Sequence, residues 1–227
     1  MAEPSTRTVE RALNLLAIIC ERGNANLADS ARAADLAPST ALRLLRTLES
    51  SGFVRREEDG TYRPGSRIIQ LGAQSLSSES LVSLAHETMD DLVAATGESV
   101  YLSIEGHNQT AIYIAVIEGT HPVRHTNWVG RTIPLSGSAA GQVFRGEVPI
   151  DGYVIVERGV EADVTAIAAA IRSEKKVVAV MSLVIPSYRI TEMGAARYGR
   201  LVLESAQQIS SGLGRSATST PSGESLA

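Results

Sequence analysis

The stretch from Ala28 to Tyr62, ADSARAADLAPSTALRLLRTLESSGFVRREEDGTY, constrains the fold of this chain more than any other. It reads as a short helix from Leu27 to about Ala34, a turn at Asp35-Leu36-Ala37, and a second helix opened by Pro38. Proline suits a first helical turn, where its missing N–H costs nothing. Leu42, Leu45 and Leu48 recur at spacing three, which predicts one apolar stripe on that second helix. Gly52 is the expected stop. Two strand-like pieces then flank Glu57-Glu58-Asp59-Gly60, and Asp-Gly is a strong hairpin signal. Helix, turn, helix and hairpin in this order make a winged helix-turn-helix, a layout whose second helix can enter a DNA major groove.

The net charge of −4 hides an asymmetry. Residues 1–75 carry ten Arg against nine Asp or Glu, a net of +1, while residues 76–227 carry eleven Lys or Arg against sixteen acids, a net of −5. No lysine occurs before Lys175. Arginine is the better residue for forked contacts to phosphate and guanine. On the second helix, Ser39, Thr40, Arg43, Arg46 and Thr47 lie off the leucine stripe and are the expected contacts to double-stranded DNA. Hydroxyls at a helix start can hold a phosphate beside free backbone N–H groups. In the hairpin, Arg55, Arg56 and Arg63 can clamp the phosphate backbone, giving affinity with little sequence information. Their other reading is a surface strand balanced by Glu57, Glu58 and Asp59.

At 227 residues the chain suits two modest domains. Residues 8–22 predict an amphipathic helix with Val9, Leu13, Leu16 and Cys20 on one side, widened by Ala12, Leu15 and Ile19. Cys20, the single cysteine, is thus expected in the core. It cannot form an internal disulfide, and a reduced, cytoplasmic compartment fits. No apolar run approaches the ~20 residues of a membrane span, and MAEPSTRTVERA is not a secretory signal. Ser66 can cap a helix containing Ile68, Ile69 and Leu71. The serine-rich run from Gln74 to Ser80 suggests the boundary, giving domains at 1–75 and 76–213, with 214–227 a disordered tail. In the second domain a helix with Leu81, Leu84, Ala85, Met89 and Leu92 runs to Gly97. Strands are expected at Ser99 to Ile104, Ala111 to Val116, Pro122 to Thr126, Tyr153 to Val156, Val164 to Ile171 and Val177 to Ile185. A final helix is expected from about Thr191 to Leu213. Helices and strands in this order read as an α+β domain.

In sequence the chain resembles the IclR family of bacterial transcriptional regulators over about residues 7–213. The resemblance rests on RTVERALNLL at 7–16, DLAPSTALRLLRTLESSGFV at 35–54, GTYRPGSRIIQLG at 60–72, GESVYLSI at 97–104 and VGRTIPLSGSAAGQ at 129–142. DVTAIAAAI and VVAVMSLVIPSYRI complete it. It implies an N-terminal winged helix-turn-helix joined by a linker helix to a C-terminal, GAF-like effector domain on an antiparallel sheet. It also implies a homodimer or homotetramer and a repressor governed by a small effector, an organic acid or aromatic catabolite. Two departures are visible. Family members usually place a further helix between the segments matching AAGQVF and GYVIVE, where this chain has only Arg145 to Asp151. A frequent proline and cysteine are replaced by Ala170 and Ala166.

Gly137-Ser138-Ala139-Ala140-Gly141 is a run of small residues at a helix start, where backbone N–H groups can be reached by a carboxylate. The resemblance places an effector pocket there, with Leu135, Ala139, Ala140, Gly141, Ala166 and Ser182 on the positions that match its lining. Tyr101 and Trp128 are the aromatic residues best able to join them. Arg131, at the family's basic position before Pro134-Leu135, is expected in a structural ion pair. No cofactor, metal or enzymatic role is expected. His121 and His125 sit in a strand-like segment, where spacing four does not build a zinc pair. The reading is a DNA-binding regulator under effector control; the alternative is a small-molecule sensor or protein-interaction module whose winged helix does not bind DNA.

Overall fold

The computed structural model describes residues 6–78, 80–125 and 127–217. The chain divides into two compact units, residues 1–78 and 79–227.

The first unit holds α1 (Arg7–Arg22), α2 (Leu27–Ala33), α3 (Pro38–Ser50), the hairpin β1 (Val54–Arg56) and β2 (Tyr62–Pro64), and α4 (Ser66–Ser78). Asp35, in the left-handed region at φ 52°, makes the tight turn between α2 and α3. Left-handed backbone tolerates Asp better than most non-glycine residues. The core joins Leu15 and Ile19 of α1, Ala31 of α2, Ala41, Leu44, Leu45 and Leu48 of α3, and Val54 and Tyr62 of the hairpin. Tyr62 also pairs its backbone with Ala25, stitching the hairpin to the α1–α2 connection.

Two expectations for these helices are corrected. On α1 the buried face is centred on Leu15 and Ile19, while Val9, Leu13 and Cys20 are exposed. Leucine spacing of three and four fits either side of this helix, and only packing partners decide which side goes in. On α3 the buried set is Ala41, Leu44, Leu45 and Leu48, and Leu42 turns half out to solvent. Spacing of three, held over two steps, drifts 120° around a helix at 100° per residue, so Leu42 leaves the face that Leu48 occupies.

The second unit is one six-stranded antiparallel sheet, in the order β5-β4-β3-β8-β7-β6. Its strands are β3 (Ser99–Glu105), β4 (Thr110–Ile117), β5 (Thr132–Pro134), β6 (Tyr153–Glu157), β7 (Val164–Ser173) and β8 (Lys176–Pro186). Helices α5 (Ser80–Thr96) and α7 (Glu192–Ala217) cover one face, and α6 (Ala139–Phe144) lies on the other. Strand alternation sorts the side chains. Ala179, Met181, Leu183 and Ile185 of β8 pack among α5 and α7, so Val180, Ser182 and Val184 face the α6 side.

The strand expected at Pro122 to Thr126 is loop through His125, and Thr126 lies outside the described residues. Pro122 offers no ladder donor there, and the adjacent edge of the sheet is taken by β5, a strand not foreseen. Helix α7 continues to Ala217, four residues into the expected tail, whose remainder at 218–227 lies outside the described residues. Between α6 and β6, residues 145–152 form turns without a helix.

Candidate functional site

Outward on α3, Ser39, Leu42, Arg43, Arg46, Thr47 and Ser50 line a shallow groove. At 100° per residue Arg46 lies near the middle of that arc, with Ser39 one turn and more before it and Arg43 beside it. Thr40, half-buried, sits at the border. The cap position is Ala37, which has no side-chain acceptor. The Ser39 N–H, in the first turn, is therefore left for solvent or an incoming oxygen. Thr47 donates its hydroxyl to the Arg43 carbonyl at 3.2 Å, which turns that group along the helix.

The hairpin sets Arg55 directly opposite Arg63 across the ladder. Like charges facing each other in this way repel, and Glu57 relieves them: its Oε1 is 3.0 Å from Arg55 Nη2 and 3.5 Å from Arg63 Nε. Arg56 instead lies over the Tyr62 ring, 6.0 Å from its centroid. At the tip, the Asp59 carboxylate accepts from the backbone N–H and the hydroxyl of Thr61, which holds its pKa below the usual carboxylate value. Two of the hairpin's three arginines thus carry an intramolecular counter-ion.

In the second unit a partly open cavity of about 30 Å³ lies between the sheet and α6. Ala139, Ala140, Ala166, Ser182 and Trp128 line it, together with Tyr113, His125, Val156 and Glu161. Three residues expected to line it do not. Gly141 faces the loop, where a Cβ would meet the Leu135 carbonyl oxygen at 1.8 Å, and its N–H is already bound to Ser138 Oγ at 3.1 Å. Leu135 is buried beside it. Tyr101 is fully buried behind the wall, against Tyr113 and within hydrogen-bond distance of His125.

That connection is a chain of three polar groups. Tyr101 Oη is 2.5 Å from His125 Nδ1, and His125 Nε2 is 2.7 Å from Glu161 Oε1. Burial pushes the Tyr101 phenol far above its ordinary pKa, aided by Tyr113, Glu118 and Glu161, so its hydroxyl keeps its proton and can donate to Nδ1. The matching tautomer carries its hydrogen on Nε2, towards Glu161. Burial and Glu161 also push Tyr113 up to about 12. Tyr113, His125 and Trp128 form an aromatic fence, with His125 and Trp128 centroids 4.7 Å apart. Arg131 stacks on the Trp128 ring at 5.1 Å; among the described residues this contact replaces the expected ion pair.

The loop bearing His125 and Trp128 is anchored at the start of β3. Glu98 is 1% exposed. Both of its oxygens are 2.8 Å from Arg189 Nη1, and Arg189 Nη2 donates to the Val123 carbonyl. Ser99 donates its hydroxyl to the His125 carbonyl and accepts from the Gly119 N–H. Sequence reasoning missed this anchor because Glu98 and Arg189 are 91 positions apart and lie outside any periodic pattern. It missed Tyr113 and Glu161 for the same reason, although strand alternation from Ala111 could have put Tyr113 on the cavity face.

Comparison with known proteins gives a match for each unit. The family model of the IclR helix-turn-helix domain matches residues 8–58, and that of the bacterial transcriptional regulator IclR C-terminal domain matches 73–146 and 147–211. The chain is 32% identical over 146 residues to the transcriptional repressor IclR of Escherichia coli K12, covering 63% of this chain and 53% of that one. It thus spans about half the length of the first curated relatives it matches. It is 26% identical over 252 positions to the repressor AllR of the same strain, covering 94% of this chain and 93% of that one. Because 94% of 227 residues is about 213, some 40 of those 252 positions have no residue here. The break in the C-terminal match, between 146 and 147, falls in the turns that join α6 to β6. In structure the chain resembles an IclR homolog from Microbacterium hydrocarbonoxydans complexed with 4-hydroxybenzoate, with a TM-score of 0.75 at 23% identity, covering 91% and 98% of the two chains.

Proposed function

Because the chain belongs to the IclR family of bacterial transcriptional regulators, we propose that it binds operator DNA through α3 and the hairpin as a repressor. A small molecule in the α6 cavity governs that binding. The observation that carries the proposal is the outward face of α3, where Arg43 and Arg46 stand exposed beside Ser39 on a helix whose opposite side is the core. Among the described residues nothing in the packing of the first unit uses those side chains, and a reading helix presents this arrangement to base edges. The cavity, with its one buried hydroxyl lacking a partner, supports the second half of the reading. The liganded relative supports a small aromatic compound as a candidate effector. Turnover of ligand is not part of the proposal.

One α3 helix reads only a few base pairs, so a homodimer or homotetramer with two or more reading helices is proposed. The apolar Val9 and Leu13, exposed on α1, are surface that a second copy would cover. A cytoplasmic location follows from the same reading. No helix among the described residues is long and apolar enough to cross a membrane.

The test is in-vitro selection of DNA sites by the full chain, followed by anisotropy titrations across salt. Enrichment of one sequence, with affinity falling linearly in log salt, is expected from a surface that displaces counter-ions. Selection of no sequence, with no salt dependence, would leave the winged helix as a protein-docking module.

Glu57 yields a sharper expectation. Its carboxylate occupies Arg55 and Arg63, groups proposed to meet phosphates, and adds a negative charge among them. Glu57→Gln is expected to raise affinity for specific and random DNA alike, about threefold to tenfold at low salt, and to steepen the salt slope by about 1. An unchanged slope would show that the hairpin does not touch the backbone.

A further inference from the structure

The cavity beside α6 carries a statement about the charge of its occupant. Ser182 is 3% exposed, and among the described residues its hydroxyl is the buried side-chain group without a hydrogen-bond partner. It lies on the central strand β8, opposite Tyr101 on one side and Ala168 on the other. An orphaned hydroxyl in an apolar wall is unfavourable, and a bound polar atom would recover that loss.

The charges on the wall decide what that atom can belong to. Glu161 and His125 are the ionisable acid and base among the lining residues, joined at 2.7 Å, and no Lys or Arg lines the cavity. With the imidazole neutral the wall carries one negative charge; with it protonated the wall carries none. In neither state is it positive. Arg131, the guanidinium stacked on Trp128, is not among the lining groups. The start of α6 does not supply the deficit, because a helix of six residues has little dipole and the Gly141 N–H is taken by Ser138. A carboxylate entering this space would lose its hydration and face Glu161 with no counter-ion, a costly arrangement.

We propose that this cavity takes a small uncharged molecule, with one hydrogen-bonding group for Ser182 and an apolar body against Tyr113 and Trp128, and that it rejects carboxylates. The inference rests on the cavity being the effector site. At about 30 Å³ it holds two or three waters at ~10–15 Å³ each, so an occupant of a few non-hydrogen atoms enters without rearrangement. A ring requires the loop that carries Trp128 to give way.

Isosteric pairs that differ only in charge provide the test: propionamide against propionate, and benzamide against benzoate. Each is titrated into the full chain at neutral pH and matched ionic strength, read by thermal shift and calorimetry. At least one amide is expected to bind about tenfold or more tightly than its carboxylate. Ser182→Ala should weaken that amide, and Glu161→Gln should narrow the amide-to-carboxylate ratio. A carboxylate that binds as well as its amide would overturn the inference and leave the effector site standing. If no member of either pair binds, the cavity is not an effector site, and the inference falls with the reading beneath it.

Discussion

Arg189→Ala is expected to destabilise the second unit by about 3–5 kcal/mol, the usual cost of stripping one partner from a buried ion pair. The variant leaves the Glu98 carboxylate, 1% exposed, with only His121 at 3.6 Å for company. It also removes the donor to the Val123 carbonyl. Three hydrogen bonds go at once, two to Glu98 and one to the loop, which places the effect above that of an exposed pair such as Arg124–Glu118, worth ~0–1 kcal/mol. In a unit of this size the melting point should fall on the order of 10 °C. Thermal and urea unfolding of the full chain would measure it. Glu98→Met combined with Arg189→Met should recover part of the loss, since no lone charge then remains buried. A single-variant cost below ~1 kcal/mol would mean that Glu98 reaches water despite its burial. Ligand affinity should suffer too, because the anchored loop brings His125 and Trp128 to the cavity.

Arg46→Ala is expected to be the most damaging single change for operator recognition. Its central place on the outward arc of α3 points it at base edges, and a bidentate arginine–guanine pair is worth ~1–3 kcal/mol of discrimination, roughly a 5- to 150-fold loss on the selected site. Random DNA should be bound nearly as before, so the specificity ratio collapses while the salt slope moves little. Equal losses on both DNAs would reassign Arg46 to the phosphates. Leu42 belongs to the same surface. Half-exposed at the edge of that arc, beside Arg46, it offers the apolar contact that a thymine methyl group requires. Replacing thymine by uracil in the selected site, one position at a time, should weaken the native chain at one or two positions and leave Leu42→Ala indifferent there.

The parts of the molecule legible from sequence are those written in local spacing and turn chemistry. Pro38, Gly52 and Asp59-Gly60 fixed α3 and the hairpin almost to the residue, because each restricts the backbone where it stands. The runs at 164–171 and 177–185 became β7 and β8 because β-branched and small apolar residues alternate between two buried faces. Which leucine faces inward was less legible. Leu42 and Leu13 have the composition of core positions, and only the presence of a packing partner turns such a residue inward. Least legible were the polar links of the second unit. Tyr101–His125–Glu161 and Glu98–Arg189 join residues 24, 36 and 91 positions apart, distances over which no periodicity speaks. Pro122 to Thr126 reads as a strand because it contains Val123 and Thr126, yet through His125 its shape is set by Arg189 and Ser99 holding its carbonyl groups.

The lone thiol on α1 has a practical consequence. Cys20 is exposed, and partial burial with the adjacent Glu21 raises its pKa above the ordinary thiol value, which lowers its thiolate fraction at neutral pH. A mildly alkaline maleimide reaction would nonetheless attach one dye per subunit, at one defined address in the first unit. In the proposed dimer, energy transfer between two such dyes would then read the spacing of the winged-helix heads directly, without altering a single amino acid.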